Sequence, residues 1–283
     1  MSYIELKNIT KTFGNTVALD NLSLELEQNK IYGLLGRNGA GKTTLLNLIT
    51  NKLFPTEGEI LIDGDSVIEN DRPLSKVYFM TEKNFYPDTM TIKSAFKWGR
   101  EFYPDFDEDY AVRLSEKFSL KIEKKIKSLS TGYKSIFKIV MALSCNTPVI
   151  LLDEPVLGLD ANHRDLFYKE LLQSYSEKPR TIIISTHLIE EAADIIEDVI
   201  VIKNGRIIMK DSVENVLSQG CCVSGSAAAV DKFTAGKNIL GYDALGGLKT
   251  AYLLEEIETQ AVPEGLEVSK LDLQKLFIYM TNS

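Results

Sequence analysis

Eight residues near the start of the chain, Gly36-Arg37-Asn38-Gly39-Ala40-Gly41-Lys42-Thr43, have the types and spacing to hold phosphate. They fit the pattern G-x-x-x-x-G-K-[ST]. Glycines in such a loop let the backbone curl until successive N–H groups face inward onto phosphate oxygens, at the positive end of the following helix. Lys42 would then reach the β- and γ-phosphates of a nucleotide, and the Thr43 hydroxyl would bind Mg²⁺. An ordinary Gly-rich turn is the competing reading, and the flanks weigh against it. Ile31-Tyr32-Gly33-Leu34-Leu35 predicts a buried strand entering the loop, and Thr44-Leu45-Leu46-Asn47-Leu48-Ile49 predicts the first turns of a helix leaving it.

Three further sets of side chains could complete such a site. The apolar run Val149-Ile150-Leu151-Leu152 ends in Asp153-Glu154-Pro155. Mg²⁺ takes oxygen ligands and keeps waters beside one or two carboxylates and the phosphates, which suits Asp153. Side chains of neighbouring residues at a strand end diverge, so Glu154 is free to face an attacking water. His187, one of two histidines, ends a second apolar run, Thr181 to Thr186, and from there can touch a γ-phosphate. Leu129-Ser130-Thr131-Gly132-Tyr133 is expected at a helix N-terminus, where a hydroxyl and free N–H groups make an anion site. A plain N-cap is the blander role for Ser130, as a solvated strand end is for Asp153-Glu154.

The elements that must position these residues are legible in outline. Residues 1–30 alternate apolar and polar through Ile4, Leu6, Ile9, Leu22, Leu24 and Leu26, predicting half-buried antiparallel strands joined near Thr12-Phe13-Gly14. The unbroken apolar runs before Asp153 and His187 predict a parallel sheet buried on both faces. Val199 to Ile208, centred on Asn204-Gly205, predicts a hairpin. From about residue 85 to 140 the period is helical and aromatics crowd: Phe85, Tyr86, Phe96, Trp98, Phe102, Tyr103, Phe106 and Tyr110. Some of these rings are expected in the core of a helical subdomain. Others suit a partner-docking face, since interface cores favour Tyr, Trp and Phe. Gly220 to Ala229 is small and bland, resembling a boundary, with Cys221 and Cys222 expected at a strand edge. Beyond it, residues 221–283 predict a small α/β appendage closing in an amphipathic helix around Leu273, Leu276, Phe277 and Met280.

Composition sets limits. The 283 residues are 44% apolar and 25% charged, as in ordinary globular chains. A net charge of −8 argues against a nucleic-acid partner. Three cysteines without metal-ligand spacing read as free thiols. No apolar run nears the roughly 18 residues that span a bilayer, and Met1 to Lys7 lacks the apolar core of a signal peptide. A soluble, cytoplasmic chain is expected.

Taken together, these motifs over residues 1–220 resemble the ATP-binding subunit of an ATP-binding-cassette (ABC) transporter. The resemblance implies an α/β P-loop cassette with an antiparallel β subdomain and a helical subdomain, followed by the small α/β appendage at 221–283. It implies ATP and Mg²⁺ as ligands. Matched by position, Phe13 takes the place of the adenine-stacking aromatic, and Gly36 to Thr44, including Asn38, Gly39, Ala40, Gly41, Lys42 and Thr43, that of the phosphate loop. Ser130 and Gly132 match the signature that contacts the γ-phosphate held by the opposite subunit. Asp153 matches the metal carboxylate, Glu154 the catalytic base, Gly158-Leu159-Asp160 the D-loop, and His187 the switch histidine. Two departures stand out. The family's L-S-G-G-Q reads Leu129-Ser130-Thr131-Gly132-Tyr133 here, and its glutamine after Val77-Tyr78-Phe79-Met80 is replaced by Thr81 or Glu82, of which Glu82 can meet Mg²⁺ or water.

The resemblance further implies a homodimer that closes on two ATPs and a transmembrane permease as partner, with the subunit held at the inner face of the membrane through that permease. The Thr131-Gly132-Tyr133 variant, the Glu82 loop and the small appendage resemble exporter subunits of Gram-positive bacteria serving bacitracin-like antibiotics, antimicrobial peptides or phenol-soluble-modulin-type peptides. Rival readings are a soluble ABC ATPase acting on DNA or ribosomes, which carries a coiled-coil insertion or second cassette absent here, and a P-loop kinase, which leaves the Ser130 and Asp160 segments unexplained.

Overall fold

The structure, a computed structural model, describes residues 3–255, 257 and 262–282. β1 (Ile4–Phe13) and β2 (Thr16–Leu26) form an antiparallel pair whose Ile4, Leu6 and Ile9 face Leu26, Leu24 and Leu22 across the ladder. β3 (Ile31–Leu35) leads through the glycine loop into α1 (Lys42–Ile49). β4 (Glu57–Ile62) adds to the free edge of β1 and carries the short β5 (Asp65–Ser66). α2 (Asp71–Leu74) and β6 (Val77–Met80) precede the helical region of α3 (Ile92–Phe102), α4 (Glu108–Lys117) and α5 (Thr131–Ser144). The chain then alternates β7 (Val149–Asp153), α6 (Ala161–Glu177), β8 (Thr181–Ser185), α7 (Ile189–Ala193) and β9 (Asp198–Lys203). β10 (Arg206–Ser212) turns back on β9 through Asn204 and Gly205, both at positive φ, as an Asn-Gly hairpin requires.

The central sheet runs in the order β10-β9-β3-β8-β7-β6 and is parallel except at β10. Its strands are apolar at nearly every position because both faces are covered. Ile150 and Leu152 of β7 enter a core shared with Phe96, Leu114, Phe137 and Phe167 of the helices. Val149 and Leu151 enter a second core with Leu45, Leu48, Leu6 and Ile60, beneath α1 and the antiparallel sheet. Ser135 to Ser144 of α5 are all buried, so this helix is enclosed all round, Lys138 included. The aromatics of residues 85–110 divide. Phe96 and Phe106 are buried, Tyr86, Tyr103 and Tyr110 pack against the same core, and Phe85, Trp98 and Phe102 are exposed.

After α8 (Val213–Ser218) come β11 (Cys221–Ser226), α9 (Ala227–Thr234), β12 (Ile239–Leu245), β13 (Leu248–Leu253), β14 (Leu266–Lys270) and α10 (Leu273–Asn282). The third sheet is antiparallel, ordered β12-β13-β11-β14, with β13 slotted between β11 and β12 as in a split βαβ unit. Cys221 and Cys222 therefore lie on an inner strand, not at an edge, and both thiols are buried. Their side chains alternate faces. Cys221 points to the sheet's own core with Val230, while Cys222 joins Leu276, Val199 and Val201 in the core that seats this sheet on the central one. Burial raises both thiol pKa values, that of Cys222 to about 11, so they are packing groups.

Candidate nucleotide site

The loop between β3 and α1 curls because its glycines permit it. Gly41 sits at φ 113, where a Cβ would meet Leu19 Cδ2 at 2.7 Å and the Ala18 carbonyl oxygen at 2.9 Å. It stands at the N-cap of α1 with no side-chain cap, which leaves first-turn N–H groups directed at whatever anion enters. A cleft of about 280 Å³ opens there, lined by Asn38, Gly39, Gly41, Lys42, Thr43, Thr44, Glu82, Asp153, Glu154 and Ala18. Lys42 is 7% exposed and its Nζ donates to the carbonyls of Gly36 (2.6 Å) and Arg37 (3.3 Å). Burial pulls the Lys42 pKa below the usual range, and the carboxylates of Glu154 and Asp153 oppose that pull.

Thr43 Oγ1 donates to Asp153 Oδ2 at 2.8 Å, joining the first turn of α1 to the end of β7. Among the described residues no three His, Cys, Asp or Glu side chains converge as a metal site. A hydroxyl and a carboxylate beside a phosphate cradle are the donor set of Mg²⁺, which draws its remaining ligands from phosphates and water. Glu82 supplies a third carboxylate on the same cleft, beside Asp153 and Glu154, whereas Thr81 spends its hydroxyl on the Lys83 carbonyl at 2.9 Å.

β7 and β8 are parallel neighbours with Asp153 opposite Ser185, so the residues just past their ends emerge together. There Glu154 Oε2 meets His187 Nδ1 at 2.8 Å. Glu154 takes a left-handed backbone conformation, φ 50, with its N–H donating to the Ser185 carbonyl at 2.8 Å. The sequence places each residue at a strand end, and strand adjacency makes them a pair.

Four expected residues are not brought to this cleft. Ser130 is exposed, and its Oγ accepts from the Tyr133 N–H at 3.4 Å as the N-cap of α5. Gly132 lies against the loop before α6, where a Cβ would strike the Gly158 carbonyl oxygen at 2.6 Å. Asp160 caps α6, accepting from the His163 N–H at 2.9 Å. That bond, with the His163 ring at 2.8 Å, lowers its pKa. Tyr133 sets its ring edge against the same His163, 6.2 Å between centroids, which ties the altered signature position to the D-loop segment. Phe13 ends β1 with its ring 46% exposed and the Lys11 ammonium 5.0 Å from its centroid. One residue near the cleft goes unnoticed in the sequence, Lys138, whose Nζ donates to the carbonyls of Thr81 (2.8 Å) and Glu82 (2.9 Å). A lysine inside the otherwise apolar stretch Ile136–Leu143 was the available signal.

Residues 19–157 match the ABC transporter family. The chain is 35% identical over 188 residues to the ABC transporter ATP-binding protein YtrB of Bacillus subtilis, a match spanning 66% of this chain and 64% of YtrB. It is 32% identical to the Nod factor export ATP-binding protein I of Burkholderia lata over 78% of this chain and 75% of that one. Relatives at about the same identity include import ATP-binding proteins as well as export ones, so the comparisons do not single out export. Among solved structures, the dimeric post-hydrolysis state of the ATP-binding cassette MJ0796 with ADP and Pi superposes with a TM-score of 0.66 at 26% identity, covering 74% of this chain and 98% of that one. The chain belongs to the ABC-transporter family of ATP-binding, ATP-hydrolysing cassettes.

Proposed function

We propose that the chain is the ATPase subunit of an ABC transporter and drives a membrane permease. The observation that carries this reading is one cleft in which Lys42 and Thr43 of the glycine loop meet Asp153 and the Glu154–His187 pair. Mg²⁺, when bound, neutralises charge on the phosphate oxygens. Everything else falls to the chain. The loop N–H groups cradle phosphates, and Lys42 exchanges its carbonyl partners for phosphate oxygens. Thr43, Asp153 and Glu82 offer oxygens to the metal. Glu154 takes the proton of the attacking water, with His187 holding its carboxylate and reaching the γ-phosphate.

Ser130, Gly132 and Asp160 lie outside their own cleft, and we assign them to the nucleotide of a second copy in a homodimer closed over two ATPs. Closure is favoured because the γ-phosphate then contacts both subunits, a contact absent in the open state. The permease is assigned to a groove of about 370 Å³ between the loop after β6 and α3, walled by Phe79, Phe85, Trp98 and Phe102. Apolar grooves of this kind take an amphipathic helix. Among the described residues no helix is long and apolar enough to cross a membrane, so the permease would hold the chain at the inner face.

Export of peptides, antibiotics or other amphipathic compounds is the direction we favour, on the strength of the Thr131-Gly132-Tyr133 signature and the Glu82 loop. Two measurements test the reading. Purified protein should release phosphate from ATP with no acceptor present; ATP binding without release would point to a transferase. In vesicles carrying the co-purified permease, cargo should leave the compartment that holds the ATPase, and accumulation there would reverse the direction.

A further inference from the structure

Lys138 is 9% exposed, within the enclosed part of α5. An ammonium in such a place loses most of its hydration and is tolerated only where it is well partnered. A methionine of similar length would fill the same space without that cost, so packing does not explain the amine. Its bonds do. Both observed partners are main-chain oxygens of Thr81 and Glu82, the first residues after β6. The preceding residue of α5, Phe137, holds the far end of the same loop, its ring edge-on to Tyr86 with centroids 5.0 Å apart. Between these anchors the loop is held by local turns, from Thr81 to Lys83 and between Asn84 and Tyr86, and by the Lys52 ammonium 4.5 Å from the Phe85 ring centroid.

We propose that Lys138 is a positioning residue that clamps the Thr81–Glu82 backbone to α5, turning the Glu82 carboxylate into the nucleotide cleft and making the loop move with the helix that begins at Ser130. Tyr86 and Phe85 of this loop wall the aromatic groove, so the clamp links groove, cleft and signature segment in one body. Lys138 stands about two helical turns from Ser130, a separation of about 12 Å. The proposal rests on the nucleotide-site reading for its effect on turnover, though not for the clamp itself.

Hydrogen exchange on the nucleotide-free protein tests the clamp, and steady-state kinetics test its consequence. In K138M, amides of residues 82–86 should exchange at least tenfold faster, while those of β7 stay within twofold of wild type. In the same variant kcat should fall threefold to tenfold, no further than in E82A, with KM for ATP within threefold, since an interaction that only positions Glu82 is not needed for ground-state binding. K138R, which keeps the donors, should restore both measurements to within threefold. Loop exchange within twofold of wild type in K138M overturns the clamp. Faster loop exchange with unchanged kcat overturns its role in the site. Faster exchange throughout β7 makes Lys138 a general packing residue and overturns the proposal too. If K138M does not fold, K138Q decides: at least threefold changes in loop exchange and kcat support the proposal, and wild-type values for either overturn it. A wild-type chain that binds no ATP would sink the nucleotide reading alone, with the exchange arm still decisive for the clamp.

Discussion

In the cleft, Lys42, Thr43, Glu154 and His187 each bond to another group of the same chain. On the face around Ser130, Gly132 and Asp160, the polar groups cap their own helices and otherwise stand in solvent. On the proposed function, the cleft is assembled within one subunit, and the other face serves the nucleotide of a second copy. That contrast teaches that half of the proposed chemistry is built by folding and the other half by association, and substitutions on the two faces should fail in different ways.

The largest effect is expected inside the cleft. E154Q keeps the side-chain shape but cannot accept a proton, and loss of a general base lowers turnover about 10²–10⁴-fold. ATP binding should persist and ATP-bound dimer should accumulate in gel filtration. Hydrolysis at the wild-type rate would remove Glu154 from the role. On the other face, S130R should lower turnover about 10²–10³-fold, the scale of losing a preorganised contact to transition-state charge. Like E154Q, it should leave the nucleotide affinity of the monomer untouched, but unlike E154Q it should not accumulate the ATP-bound dimer. Mixed with K42A it should recover part of the activity, because one site of each mixed dimer is intact. Full activity of S130R alone would erase the contrast between the two faces.

F13A sharpens the comparison from the rim. If the half-exposed ring stacks on the base, nucleotide binding should weaken by about 1–3 kcal/mol, with ATP and GTP affected alike in a fluorescence titration. Unchanged affinity would make Phe13 a surface residue paired only with Lys11. The smallest effects belong to the loop after β6. E82A should lower turnover about tenfold and blunt stimulation by the permease, whereas T81A, whose hydroxyl serves a local turn, should stay within twofold. The reverse order would move the missing glutamine's role to Thr81.

The cleft was legible in the sequence because its groups are chemically unusual at their positions: glycines before a lysine, carboxylates closing an apolar run, a histidine closing another. What the sequence could not carry was adjacency between distant segments. Glu154 and His187 become partners only because β7 and β8 are neighbours in the sheet. Lys138 finds its acceptors across more than fifty residues, and backbone carbonyls have no sequence signature. The stretch from Gly220 to Ala229 shows a second limit. Cys221 and Cys222 are expected at a strand edge, yet Cys221 to Ser226 form an inner strand, and small side chains suit a strand pressed between α9 on one face and the central sheet's core on the other. The alternating pattern of residues 1–30, with one face in water, was read correctly for the converse reason.

The backbone of Glu154 carries a final consequence. A non-glycine residue at φ 50 costs of order 1–3 kcal/mol, a cost the fold tolerates where geometry serves activity. On the proposed assignment of Glu154 as the base, this position trades thermal robustness for turnover. E154G, free to occupy that conformation, is expected to be inactive and yet to melt no lower than wild type. A chain drifting from ATPase to passive nucleotide binder would meet no stability barrier at this residue.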